Sequence, residues 1–106
     1  MKYAFLFAGV FLALTLSAQD SDTLVVHTSA ICETCKATIE HDLSFEKGVK
    51  SVHLDVPSSD VTVVYHASKT TPEKIRLAIT RIGYDADTLK ADPKAYRKLP
   101  DCCKHP

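Results

Sequence analysis

Hydrophobic and polar residues change period along this chain, and the changes mark its elements. Ala4 to Leu16 is an almost unbroken apolar run after the basic start Met1-Lys2-Tyr3, and Ser17-Ala18 precede the polar Gln19-Asp20-Ser21-Asp22. That layout predicts a secretory signal peptide cut near Ala18, because the run is short of the ~20 residues a membrane-spanning helix needs. Leu24 to Thr28 then alternates as a strand, with Leu24 and Val26 inward and Val25 and His27 on the other face. Cys35, Ile39 and Leu43 recur at helical spacing and line one face of a helix from about Glu33 to about Glu46, with Glu40, Asp42 and Lys47 away from it and Gly48 as its stop. Val49 to Val56 and Val61 to His66 alternate again on either side of Pro57-Ser58-Ser59-Asp60, which predicts an antiparallel hairpin. Thr71-Pro72-Glu73 opens a second helix whose buried stripe is Ile75, Ala78, Ile79 and Ile82, and Gly83 ends it. Tyr84 to Asp87 reads as a short fourth strand.

Strand, helix, strand, strand, helix, strand is the order of an α+β, ferredoxin-like βαββαβ fold: a four-stranded antiparallel sheet with two helices on one face. Right-handed crossovers give the strand order 4-1-3-2 and bring the loop after the first strand beside the Gly83-Tyr84 turn. The predicted organisation is a signal peptide (1–18), a leader (19–22), one domain (23–89) and a tail (90–106). In the tail, Asp92-Pro93 starts one more short helix carrying Ala95, Tyr96 and Leu99.

With 106 residues and a formal net charge of +0, the chain is sized for one small domain and offers no basic surface for nucleic acid. A core that small is marginal, so a metal or a disulfide would help to hold it. The 4 cysteines fall in two close-set pairs, Cys32/Cys35 and Cys102-Cys103. Structural disulfides of exported proteins join distant segments, so two such pairs read instead as ligand or redox groups.

Cys32 and Cys35 flank a strand-to-helix turn. Free N–H groups and the partial positive charge of a helix start favour thiolate there, although Glu33 between the two opposes a strongly lowered pKa. Thiolates select soft ions such as Cu(I), Hg(II), Cd(II) and Zn(II). Two sulfurs without a second nearby pair leave a closed tetrahedral zinc site unfinished, and an open site suits transfer. The alternatives are a plain disulfide and a thiol–disulfide exchange protein in which Cys32/Cys35 communicate with Cys102/Cys103. Against exchange stand the absence of tryptophan and the order of elements. A third class is an interaction module that docks a partner on its open sheet face.

The tail can act in two ways. At ~3.3 Å per residue the chain from Leu89 to Cys102 spans up to ~40 Å, so Cys102, Cys103 and His105 can complete the first site or form a separate flexible tail. His27, His53 and His66 fall on the outer face of the sheet, with His53 opposite Val64 and diagonal to His66, and His41 is exposed on the first helix. They read as solvated, as do Asp55, Asp85 and Asp87. With 3 glycines and no catalytic set at motif spacing, the chain is not expected to be an enzyme.

Cys32-x-x-Cys35 at the first strand–helix turn, the order of elements and Ile82-Gly83-Tyr84 before the last strand resemble the heavy-metal-associated domain from Thr23 to about Asp87. That family includes small copper chaperones, modules of metal-pumping ATPases and periplasmic mercury-binding proteins. The resemblance implies that Cys32 and Cys35 bind one soft ion, Cu(I) first, with Hg(II) or Zn(II) as alternatives, and that Tyr84 packs behind the loop. Where the family reads Gly-Met-Thr, this chain has Ser29-Ala30-Ile31, and Ile31 is expected to fill some of the methionine's space. The resulting expectation is a monomer exported to a bacterial periplasm and free of the membrane after cleavage. Its partner would be a metal-donor or metal-acceptor protein such as a transporter, and its task sequestration or transfer.

Overall fold

In a computed structural model, which describes residues 20–104, three strands and two long helices follow the predicted order. They are β1 (Ser21–His27), α1 (Glu33–Leu43), β2 (Val49–Asp55), β3 (Asp60–His66) and α2 (Pro72–Ile82). A short helix α3 (Pro93–Arg97) and a 3-10 turn (Asp101–Cys103) follow. The predicted signal peptide and His105 lie outside the described residues.

The sheet is antiparallel with order β1-β3-β2. Val26 and Leu54 both lie opposite Val61, and Leu24 and Val52 both lie opposite Val63. This register puts the alternating apolar positions on one face. Val26, Leu54, Val61, Val63 and Tyr65 are buried there, against Cys35, Ile39 and Leu43 of α1 and Ile75, Ala78 and Ile79 of α2. Each fully buried Leu, Ile or Val removes apolar surface worth roughly 1.5–3 kcal/mol from water. The Thr71 hydroxyl accepts from Lys74 N–H and caps α2 as predicted, while Gly83, at φ +121°, ends that helix in a conformation that side chains rarely adopt.

The fourth strand is not formed. The Ala86 amide donates to Leu89 O (3.0 Å) and the Leu89 amide to Ala86 O (2.9 Å), and Asp87 takes φ +53°. The chain therefore turns after a single bridge between Ala86 and Thr28. Four residues ending in a tight turn cannot sustain a ladder, so the predicted order survives only as its 1-3-2 part.

Other boundaries also move. β1 begins at Ser21, and the Asp20 carboxylate accepts from Ser68 N–H (3.0 Å) and pairs with His66 (2.9 Å), so the end of the predicted leader packs on the fold. Helix α1 stops at Leu43. Ser44 donates back to His41 O (2.6 Å), and tight turns carry the chain to Gly48, whose φ of +85° serves the entry to β2. His53 lies opposite Thr62 rather than Val64, a two-residue shift that keeps its face but separates it from His66.

Glu40 was expected to point away from the core. Its carboxylate instead accepts from Leu54 N–H (2.9 Å), and Lys36 Nζ donates to Leu54 O (2.8 Å). These two side chains satisfy the outward N–H and C=O of Leu54 on the free edge of β2 and fasten α1 to it there.

Candidate metal centre

Ser29 to Ile31 forms a braced loop between β1 and α1. Thr28 donates through its amide (2.9 Å) and its hydroxyl (2.8 Å) to Ser59 O, and Ser59 Oγ donates to Ala30 O (2.6 Å). Ala30 N–H donates to Thr28 Oγ1 (3.2 Å), and Asp85 N–H donates to Ser29 Oγ (2.9 Å). The hairpin turn and the segment after α2 thus hold the loop from two sides.

Cys32 occupies the N-cap of α1 in extended conformation, and its carbonyl accepts the Lys36 amide (3.0 Å). Cys35 lies in the first turn, fully buried, with its Sγ 3.0 Å from that of Cys32. The Cys32 thiol is lowered to about 7, first because the Cys35 thiol donates to it and further through the Cys35 backbone N–H, while partial burial opposes the shift. The neighbouring thiol does most of this, and the backbone N–H at the helix start adds to it.

The tail closes over this end of the molecule. Ala91 N–H donates to Asp85 Oδ1 (2.8 Å), Asp92 N–H donates to Thr80 O (2.9 Å), and the Asp92 carboxylate caps α3 by accepting from Ala95 N–H (3.0 Å). Leu99 is buried, and Gly83 allows close approach: a Cβ there would meet Ala95 O at 3.1 Å and Leu99 Cγ at 3.2 Å. The 3-10 turn then brings Cys103 Sγ to 3.6 Å and Cys102 Sγ to 3.8 Å from Cys32 Sγ. Cys103 is buried and Cys102 exposed, and burial pushes the Cys103 thiol well above its ordinary pKa. The Tyr84 ring is also fully buried here, and burial first and the Cys103 and Cys35 sulfurs next raise its phenol far above the usual range. Among the described residues, the Tyr84 hydroxyl is buried without a hydrogen-bond partner.

Ile31 does not enter the loop's interior. It is 49% exposed and lines a surface cavity of about 270 Å³ with His27, Ser59, Asp85 and Asp87. Ala30, at the position where the family carries methionine, is the buried residue. The reason is the bracing just described: both hydrogen-bonding groups of Ala30 turn inward, which leaves its neighbour outside.

The model of the family described as the heavy-metal-associated domain matches residues 25–85, more than half of the chain. The chain belongs to the heavy-metal-associated domain family. Copper-transporting ATPase 1 of Rattus norvegicus is 41% identical over 63 residues, covering 59% of this chain and 4% of the ATPase, so the chain spans only a small part of that relative. Copper chaperone CopZ of Staphylococcus epidermidis is 37% identical over 54 residues, covering 51% of this chain and 79% of the chaperone. Among solved structures, a CopZ metallochaperone superposes with a TM-score of 0.59 at 27% identity, over 61% of this chain and 98% of its own. Oxidized MerP from Ralstonia metallidurans CH34 superposes at 0.60 with 22% identity, over 63% of this chain and 94% of its own, a likeness of fold. Cys102 and Cys103 lie beyond the matched residues.

Proposed function

We propose that this domain captures one soft metal ion through Cys32 and Cys35 and sequesters it or passes it to another protein. The observation that carries this reading is the side-by-side placement of the two sulfurs (3.0 Å) at a helix start, one fully buried and one partly exposed, with the outer thiol lowered to about 7 chiefly by its Cys35 neighbour. A half-buried pair of that kind grips an ion from one side and leaves the other open to an incoming thiolate. Transfer then runs by stepwise exchange, a partner's sulfur binding as Cys32 leaves. Soft sulfur donors favour Cu(I), with Hg(II) and Zn(II) as the other ions of matching chemistry. The likeness to proteins named copper chaperone and copper-transporting ATPase supports Cu(I) and a metal-transporting partner. The reading is of a monomeric binding and transfer protein, not an enzyme. Its export to a periplasm rests on the apolar run from Ala4 to Leu16.

The test is an anaerobic titration of the reduced protein with Cu(I), Hg(II) and Zn(II), followed by sulfur-to-metal absorption. One ion per chain is expected to bind tightly, and Cys32→Ser is expected to abolish the band. A reduced protein that ignores all three ions would overturn the reading.

A further inference from the structure

Three sulfurs at this end of the molecule form a triangle of unusual regularity. Its sides are 3.8 Å (Cys32–Cys102), 3.6 Å (Cys32–Cys103) and 3.9 Å (Cys102–Cys103). A thiolate bond of ~2.3 Å, as zinc makes, gives sulfurs ~3.8 Å apart around a tetrahedral ion and ~4.0 Å apart around a trigonal one. The Cys32–Cys35 distance of 3.0 Å fits neither edge and must open before both sulfurs share an ion. The triangle joins residues 70 and 71 positions apart, so it is not a by-product of local chain geometry.

We propose that the tail is an intramolecular cap that supplies Cys102 and Cys103 as further thiolate ligands to the ion held at Cys32, so that the resting site has three or four sulfurs rather than two. The proposal deepens the reading above and rests on it. Each thiol that joins the ion gives its proton to the solvent, and no electron moves. A second observation points the same way. The buried Tyr84 hydroxyl makes no full hydrogen bond among the described residues, and the Cys103 and Cys35 sulfurs are near enough to act on it as weak acceptors. A metal-bound thiolate at either position supplies a stronger acceptor, since a sulfur carrying charge accepts far better than a neutral thiol. The tail is also built to stay in place, because Leu99 is seated on Gly83 and the segment before it is tied to Thr80 and Asp85.

The cap makes the site one that retains. An external thiol must first displace Cys102, the exposed sulfur, before it reaches the ion. Ligands tethered to the same chain raise apparent affinity by about 10²-fold or more over untethered ones.

The reduced protein loaded with Cu(I) decides the matter. X-ray absorption is expected to count at least three sulfurs per ion, and two in Cys102→Ser/Cys103→Ser. Competition with a chromophoric chelator is expected to show a loss of about 10²-fold in that variant. Cys102→Ser alone, at an exposed position, keeps the fold intact and is expected to lower the count and speed release to a small dithiol. Two sulfurs in the wild-type protein, with equal affinity in all variants, would overturn the cap while leaving Cys32/Cys35 as a two-sulfur site. A wild-type protein that binds none of Cu(I), Hg(II) and Zn(II) would overturn both.

Discussion

The thiol end of this molecule and its outer surface both carry side chains able to bind metal, and the fold treats the two sets differently. At the thiol end, Cys32 Sγ lies 3.0, 3.6 and 3.8 Å from the sulfurs of Cys35, Cys103 and Cys102. On the surface, each described histidine faces a carboxylate of its own: His27 with Asp60 and His41 with Asp42 at 2.9 Å, His66 with Asp20 at 2.9 Å, and His53 with Glu40 at 3.7 Å. The sulfurs converge because two separate segments, the start of α1 and the tail, pack together beside one buried tyrosine. The imidazoles are spread along rigid elements and answer to local partners. Residue type therefore says little about a site until the packing shows which side chains meet.

The sharpest way to break this contrast is to exchange the roles. Cys35→Ser is expected to lower Cu(I) affinity by more than about 10²-fold, beyond what the loss of an outer-shell partner costs. His27→Ala/His53→Ala/His66→Ala is expected to leave it within about twofold, as distant independent sites do. Chelator competition measures both, and a large loss in the histidine variant would break the comparison.

A smaller effect tests whether packing of the tail makes the sulfurs converge. Gly83→Ala places a side chain at φ +121° and 3.1 Å from the Ala95 carbonyl. The strain and the crowding are expected to cost about 2 kcal/mol in urea unfolding. The same variant should release the tail and make Cys103 accessible to alkylation in the folded protein. Full stability with a protected Cys103 would show that the docking of the tail does not depend on this close approach.

The smallest effect lies where the two regions meet. Asp87 accepts from Arg76 Nε (2.8 Å) and from the His27 amide (3.0 Å), tying the end of β1 to α2. The Arg76 hydrogen bond, aided by the His27 amide, holds the Asp87 carboxyl below its ordinary pKa of 3.8. A depressed pKa stabilises the folded state fully above that ordinary value, and the contribution is lost as pH falls through the lower folded one. Asp87→Asn is therefore expected to cost about 1 kcal/mol near neutral pH, with the gap to wild type closing in strong acid. A gap that persists there would assign the effect to shape rather than charge.

Much of the fold was legible because burial follows local period. The alternation at Leu24–Val26 and Val61–Val63 and the spacing of Cys35, Ile39 and Leu43 mark the faces that the structure buries. The caps at Thr71 and Asp92 and the stop at Gly83 are short-range chemistry, and they hold as read. Misreadings arose where a residue's role depends on a distant partner. Glu40 looks like a solvated helix position until the free edge of β2 lies beside it. Ile31 looks like a core residue until Ser59 and Thr28 take both backbone groups of Ala30. The fourth strand failed because the turn at Asp87, with its Arg76 and His27 contacts, interrupts the alternation.

By itself the sequence determined the order of the elements, the faces they bury and the two sulfurs at the first turn, because each depends on residues a few positions apart. Whether the last two cysteines join those sulfurs was open, since a chain of that length reaches the site or misses it with equal ease. Packing decided it: Leu99 fits onto the one residue in the α2 turn without a side chain, and the thiols that follow are delivered to Cys32.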